Sequence, residues 1–175
     1  MSEIEADQSK RQLILDAVQD KAMENQEQDS PDKKIEIVVF SMAQRYFAFK
    51  GAGIREILPY TPITEVPGCP RTIRGIINVR GIIESVVDLH TLLEIEDTPT
   101  SNRTRLILAQ SEEILSGIQV ESVEDVLSIE PRRIKTVIST LPAATKKYAL
   151  GGGELYKEHY VVLLSLKKIF TELLK

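Results

Sequence analysis

The chain has 175 residues, 42% of them hydrophobic, 5% aromatic and 27% charged, with a net charge of −4 and a single cysteine. That balance suits one compact domain or two small packed ones and excludes wholesale disorder. One cysteine excludes an intrachain disulfide and a multi-cysteine zinc site, and no apolar run reaches the ~20 residues of a membrane span.

Residues 1–34 hold nine acidic and five basic side chains, the whole of the charge imbalance. The acidic start, Met1 to Asp7, is the reverse of a signal peptide's basic region, so a cytoplasmic protein is expected. Leu13, Ile14, Ala17, Val18 and Ala22 recur at helical spacing, which predicts a short helix around 9–24, and a polar linker follows at 25–32. Residues 1–34 are therefore expected to form an acidic N-terminal extension, partly helical or mobile. Residues 35–175 are expected to form the folded body. That body is electrically neutral and poor in aromatic side chains, without the footprint of a nucleic-acid or anionic-lipid binder.

From Ile35 the pattern becomes that of strands. Ile35–Phe40 and Tyr46–Phe49 are joined by a short polar connection, and Gly51 and Gly53 bracket a bend. Ile54–Leu58, Ile73–Val79 and Ile82–Val87 follow, separated by turns at Pro59, Pro62, Pro67-Gly68, Pro70 and Gly81. Asp88 is suited to cap a short helix over Leu89–Leu93, and residues 94–103 read as loop. Strands resume at Thr104–Ala109, Glu113–Gln119 and Val123–Ile129. Gly151-Gly152-Gly153 reads as a turn before a last hairpin built on Leu155–Tyr156 and Tyr160–Leu164. Apolar residues at 166, 169, 170, 173 and 174 predict a short C-terminal helix. About ten short strands mean an all-β fold, and two small barrels of about five strands suit the length. With no tryptophan and few aromatics, an aliphatic core is expected.

Catalytic chemistry is hard to assemble. His90 and His159 are far apart in sequence and read as surface residues. Cys69 sits in a Gly-Cys-Pro turn with no partner for thiol chemistry, and the three glycines at 151–153 lack the Lys-Ser/Thr of a phosphate loop. The expectation is no enzyme, no cofactor and no metal.

The informative stretch runs from Ile54 to Leu89. Two hydrophobic strands meet at Asn78-Val79-Arg80-Gly81, where Gly81 can take a positive φ, Asn78 can bond its own turn, and Arg80 projects from the tip. A guanidinium there offers a planar fork for a carboxylate, and Glu56 is the nearest candidate on a neighbouring strand.

In order, Ile54-x-Glu56-Ile57, Val66-Pro67…Pro70, Gly75…Asn78-Val79-Arg80-Gly81, Val87-Asp88-Leu89 and Gly117-Ile118-Gln119-Val120…Val123…Asp125-Val126 resemble the CheW family of chemotaxis coupling proteins, from about Ile35 to Leu174. The resemblance implies two five-stranded SH3-like barrels, interleaved in one CheW-like domain, with the last motif in the second barrel. It implies a non-catalytic adaptor that couples a chemoreceptor's cytoplasmic tip to the regulatory domain of a CheA-type histidine kinase, recruited to receptor clusters at the inner face of the membrane. It also implies that Glu56 and Arg80 lie together and carry receptor coupling, with Asn78 in the turn and an apolar groove drawing on Ile54, Ile57 and Val79. Strand alternation puts Ile54 and Glu56 on one face and Ile57 on the other, so Ile57 is expected in the core. The sequence departs from the family pattern at Lys50–Gly53, at Glu84-Ser85 where a proline is common, at His90 for an arginine and at Glu121 for an aspartate. Such departures leave open a coupling protein of a gliding or pilus system. The kinase's own regulatory module is set aside because the chain lacks room for a kinase. A generic β-barrel binding nucleic acid or oligosaccharide is the alternative of another class.

Overall fold

The computed structural model describes residues 33–136 and 139–175. The predicted helix around 9–24 and the linker at 25–32 lie outside the described residues. Residues 35–175 form one compact unit.

Among the described residues, ten strands make two five-stranded sheets, as the strand pattern predicts. β1 (Ile35–Met42) and β2 (Arg45–Lys50) form a hairpin whose two-residue turn, Ala43-Gln44, takes positive φ at both positions. That is the turn whose twist matches paired strands. A single 3-10 turn at Gly51–Gly53 carries the chain to β3 (Ile54–Pro59) in the second sheet. There follow β4 (Ile73–Val79), β5 (Ile82–Val87), the helix α1 (Leu89–Leu93), β6 (Arg105–Ser111) and β7 (Ile114–Val120). At Glu121 the chain crosses back. β8 (Ser122–Ile129), the helix α2 (Ala143–Tyr148), β9 (Ala149–Tyr156), β10 (His159–Leu164) and the helix α3 (Leu166–Glu172) complete the first sheet.

The strand orders are β8-β1-β2-β10-β9 and β3-β6-β7-β5-β4. Both ends of the body thus build the first sheet and the middle builds the second. In each, one pairing is parallel, β2 with β10 and β5 with β7. The segment Gly117–Val126, expected in one barrel, in fact spans the crossing: its first half is β7 of the second sheet and its second half β8 of the first.

The main core cluster draws on both sheets and on the helices, with Phe40, Phe47 and Phe49 beside Ile107, Ile118, Leu89, Leu93 and Phe170. Smaller clusters lie within each sheet, Ile37, Val39, Val161 and Leu163 in the first and Ile77, Val86 and Leu106 in the second. Aliphatic side chains make up most of the buried core, as expected, and all four phenylalanines of the chain are fully buried among them, Phe40 and Phe49 with ring centroids 4.9 Å apart.

The glycines at 151–153 are a correction: they are buried within β9, not in a turn. An added Cβ would come within 2.6 Å of the Lys135 carbonyl at Gly151 and within 2.6 Å of the Arg133 carbonyl at Gly153. The chain past Pro131 crosses β9 so closely, with Lys135 and Gly152 exchanging backbone hydrogen bonds of 2.8 and 3.0 Å, that side chains would hold it off.

Candidate functional site: the Glu56–Arg80 clasp

β4 and β5 are joined by Arg80-Gly81, both with positive φ. Asn78 Oδ1 accepts from the Gly81 N–H at 2.7 Å, so the asparagine shapes its own turn as expected. Gly75, at the start of the same motif, is fixed by close approach. The backbone at Thr64 exchanges two hydrogen bonds of 2.9 Å with Ile76, and a Cβ on Gly75 would fall 2.3 Å from the Thr64 carbonyl oxygen.

The turn presents Arg80 to Glu56 on β3. Arg80 Nη1 donates to Glu56 Oε1 at 3.0 Å and Arg80 Nη2 donates to Glu56 Oε2, a two-pronged pair. Its position follows from sheet order. β3 and β4 are the two edge strands of the second sheet, so the pair bridges the open seam of that sheet. Arg80 is 70% exposed, and an exposed ion pair adds little to stability. Its electrostatics are still definite. The hydrogen bond from Arg80, and secondarily its charge, hold the Glu56 carboxyl below its ordinary 4.5, while the hydrogen bond to Glu56 pushes the Arg80 guanidinium further up from its already high value. At neutral pH both are ionised.

Exposed apolar side chains flank the clasp. Ile57 follows Glu56, and Ile82 and Ile83 follow the Arg80-Gly81 turn, at 37%, 63% and 58% exposure. This reverses the expected faces of β3. Ile54 is half-buried against the main core and Leu58 against the second sheet's cluster, so the face holding residues 54, 56 and 58 points inward and Ile57 points out. A charged Glu56 suggests that its face is the outer one. Its carboxylate instead reaches the seam, where the inward face still meets solvent and Arg80. Val79 is half-buried against the second sheet's cluster.

A second polar cluster is not legible in the sequence. His90, expected at the surface, is buried, 4% exposed, on α1 beside Leu89, Leu92 and Leu93. The α1 N-cap is Asp88, as expected, accepting from the Thr91 N–H at 3.2 Å. Arg74 Nη1 lies 3.4 Å from His90 Nδ1 and 3.6 Å from Asp88 Oδ1, and Arg74 also pairs with Asp97. His90 Nε2 is 3.7 Å from Asp97 Oδ1 and 4.0 Å from Glu121 Oε1, and makes no hydrogen bond among the described residues. A guanidinium can only donate, so its contact makes Nδ1 the acceptor and puts the imidazole proton on Nε2. Burial, outweighing the carboxylates of Asp97, Asp88 and Glu121, lowers the His90 pKa from 6.5, and the charge of Arg74 acts in the same direction. Glu121 Oε1 also accepts from Thr98 Oγ1 at 2.7 Å and from the Ala43 N–H at 2.8 Å in the β1–β2 turn. His90 and Glu121 therefore meet in one cluster that ties α1 and the loop after it to the first sheet. Ser85 shares a 2.8 Å hydrogen bond with Ser116 across β5 and β7. Among the described residues, no group of three or more His, Cys, Asp or Glu side chains is placed to hold a metal ion, and no helix is long and apolar enough to cross a membrane.

The family model of the CheW-like domain matches residues 36–174. The chain belongs to the CheW-like family. It is 26% identical over 137 residues to the probable chemotaxis protein CheW of Rhizobium etli, covering 78% of this chain and 88% of that one. It is 24% identical to the chemotaxis protein CheW of Klebsiella aerogenes, covering 78% and 81%. Its fold resembles the crystal structure of the scaffolding protein TtCheW from Thermoanaerobacter tengcongensis, with a TM-score of 0.70, 26% identity, and 81% of this chain and 90% of that one covered. A shorter likeness, 27% over 84 residues and 48% of this chain, is to Protein PilI of Pseudomonas aeruginosa. As a CheW-family member of this architecture, the chain is a coupling scaffold of chemotaxis signal transduction.

Proposed function

We propose that this CheW-type scaffold acts without catalysis, couples the cytoplasmic tip of a chemoreceptor to the regulatory domain of a CheA-type histidine kinase, and works in the cytoplasm at receptor clusters. The receptor-facing site is centred on Glu56 and Arg80, with Asn78 setting the turn and Ile54 and Val79 supporting the strands from their half-buried positions. Ile57, Ile82 and Ile83 supply the exposed apolar contact. The observation that carries this reading is the ionised clasp across an open sheet seam, flanked by exposed isoleucines. A helical hairpin can lay apolar side chains on such a strip while the clasp fixes its register by charge. The likeness to PilI covers about half of the chain and leaves the chemotaxis reading the better supported.

A binding titration with a receptor-tip fragment tests the site. The unmodified chain should bind it and Arg80→Ala should bind at least about tenfold more weakly, as expected when a central arginine is removed. Equal binding by the two would remove the clasp from the interface.

A further inference from the structure

Arg74 sits at an irregularity of β4. Ile73 pairs with Val87 and Gly75 with Val86, so Arg74 is the extra residue of a bulge. Bulges re-aim the side chain they carry, and this one sends a guanidinium to the buried ring of His90, Nη1 lying 3.4 Å from Nδ1. The charged groups that face His90 come from four segments. They are Arg74 on β4, Asp88 at the start of α1, Asp97 in the loop after α1, and Glu121 where the chain crosses between the sheets.

The two ring nitrogens are in opposite situations. Nδ1 can meet a guanidinium only as an acceptor, so this contact requires the neutral ring. Nε2 is enclosed and falls short of its nearest acceptors, 3.7 Å from Asp97 Oδ1 and 4.0 Å from Glu121 Oε1. A proton placed on Nδ1 reverses both. Two donors and two positive charges then face each other across the Arg74 contact, and they repel. Asp88 Oδ1, 3.8 Å from Nδ1, is placed to take the new N–H. The cationic ring also draws carboxylates to Nε2 through charge-assisted hydrogen bonds. Asp97 is half exposed and can close that gap. Glu121 Oε1 already accepts from Thr98 Oγ1 and from the Ala43 N–H, so its pull toward the ring reaches the β1–β2 turn.

We propose that His90 is a proton-operated latch: neutral, it holds Arg74 of the clasp-bearing strand against α1; protonated, it ejects Arg74, pairs with Asp88 and Asp97, and draws Glu121 off the β1–β2 turn. Burial and the Arg74 charge put the change on the acid side of 6.5. The latch is therefore closed at neutral pH and opens on acidification.

NMR of the isotope-labelled full chain, titrated from neutral pH into the acid range, tests this. Imidazole nitrogen shifts at neutral pH should place the His90 proton on Nε2. On acidification the Arg74 guanidinium and the Ala43 and Thr98 amides should shift with the same midpoint as the His90 ring, while the spectrum stays that of a folded chain. His159→Gln separates the signals of the two histidines. His90→Gln should abolish the shared step. Glu121→Gln should leave His90 and Arg74 titrating together and remove most of the Ala43 step. A neutral ring protonated on Nδ1, Arg74 and Ala43 signals indifferent to the His90 step, or steps that persist in His90→Gln would overturn the proposal. So would a ring that stays neutral until the whole fold is lost.

Discussion

Arg80 occupies a turn position with positive φ, projects into solvent and touches the fold through one carboxylate. Removing its side chain should leave the melting temperature nearly unchanged, because exposed ion pairs contribute little to stability. Receptor binding, by contrast, should respond to Arg80→Ala and Glu56→Gln in a coupled way. Each loses affinity, and the double variant loses little more than the worse single one. Additive losses would show that the two residues act separately. His90 makes a different prediction. Its pKa is lowered by burial, so the folded state holds the neutral imidazole. The stability that this contributes is present above the unfolded value of about 6.5 and is lost as pH falls through the lower folded value. Urea midpoints measured across that window should therefore drop on acidification, and His90→Gln should flatten the drop. An equally steep limb in the variant would assign the effect to other groups. Glu56 and Arg80 are legible from the order of the motifs along the chain. His90 is not, because nothing in the local sequence shows that a polar residue on α1 faces Arg74, Asp97 and Glu121, which are gathered from three other segments.

At the scale of elements, β3 separates what a pattern can and cannot tell. Alternation correctly divides Ile54, Glu56 and Leu58 from Arg55 and Ile57. Which set faces inward depends on β6 beside it and on clusters built by residues far along the chain. Ile57→Ser should accordingly change stability by no more than about 0.5 kcal/mol, as is usual for exposed positions, while weakening receptor binding. Leu106→Ala, at a fully buried β6 position paired with Leu58, should cost about 2–5 kcal/mol. Chemical denaturation of the two variants measures both, and a large loss from Ile57→Ser would restore it to the core. β9 shows the same limit. Three consecutive glycines suggest a turn when only the local sequence is read, yet they form a strand because the chain past Pro131 crosses over them. The helix α2 carries no periodic signal long enough to find, with six residues behind Pro142. Strand number, the Asp88 cap and the C-terminal helix are legible, since each rests on contacts within a few residues.

At the scale of the molecule, the first sheet is assembled from both ends of the body and the second from its middle. The first sheet cannot be cut from the chain as a continuous piece, and the main core draws on both sheets, so the body should unfold in one step. Residues 35–175 form a compact unit that holds the family match. A fragment of those residues is proposed to fold and to bind the kinase's regulatory domain as the full chain does, and circular dichroism with a binding titration would check it. Loss of either property would give residues 1–34 a structural part. We propose that this chain transmits receptor state to a kinase through the Glu56–Arg80 clasp. Kinase autophosphorylation, measured in a reconstituted mixture of receptor fragment, CheA-type kinase and this chain, is the deciding measurement. Control by the receptor should require the chain and should be lost with Arg80→Ala even though that variant still binds the kinase. Full receptor control with Arg80→Ala, or receptor control without the chain, would contradict it.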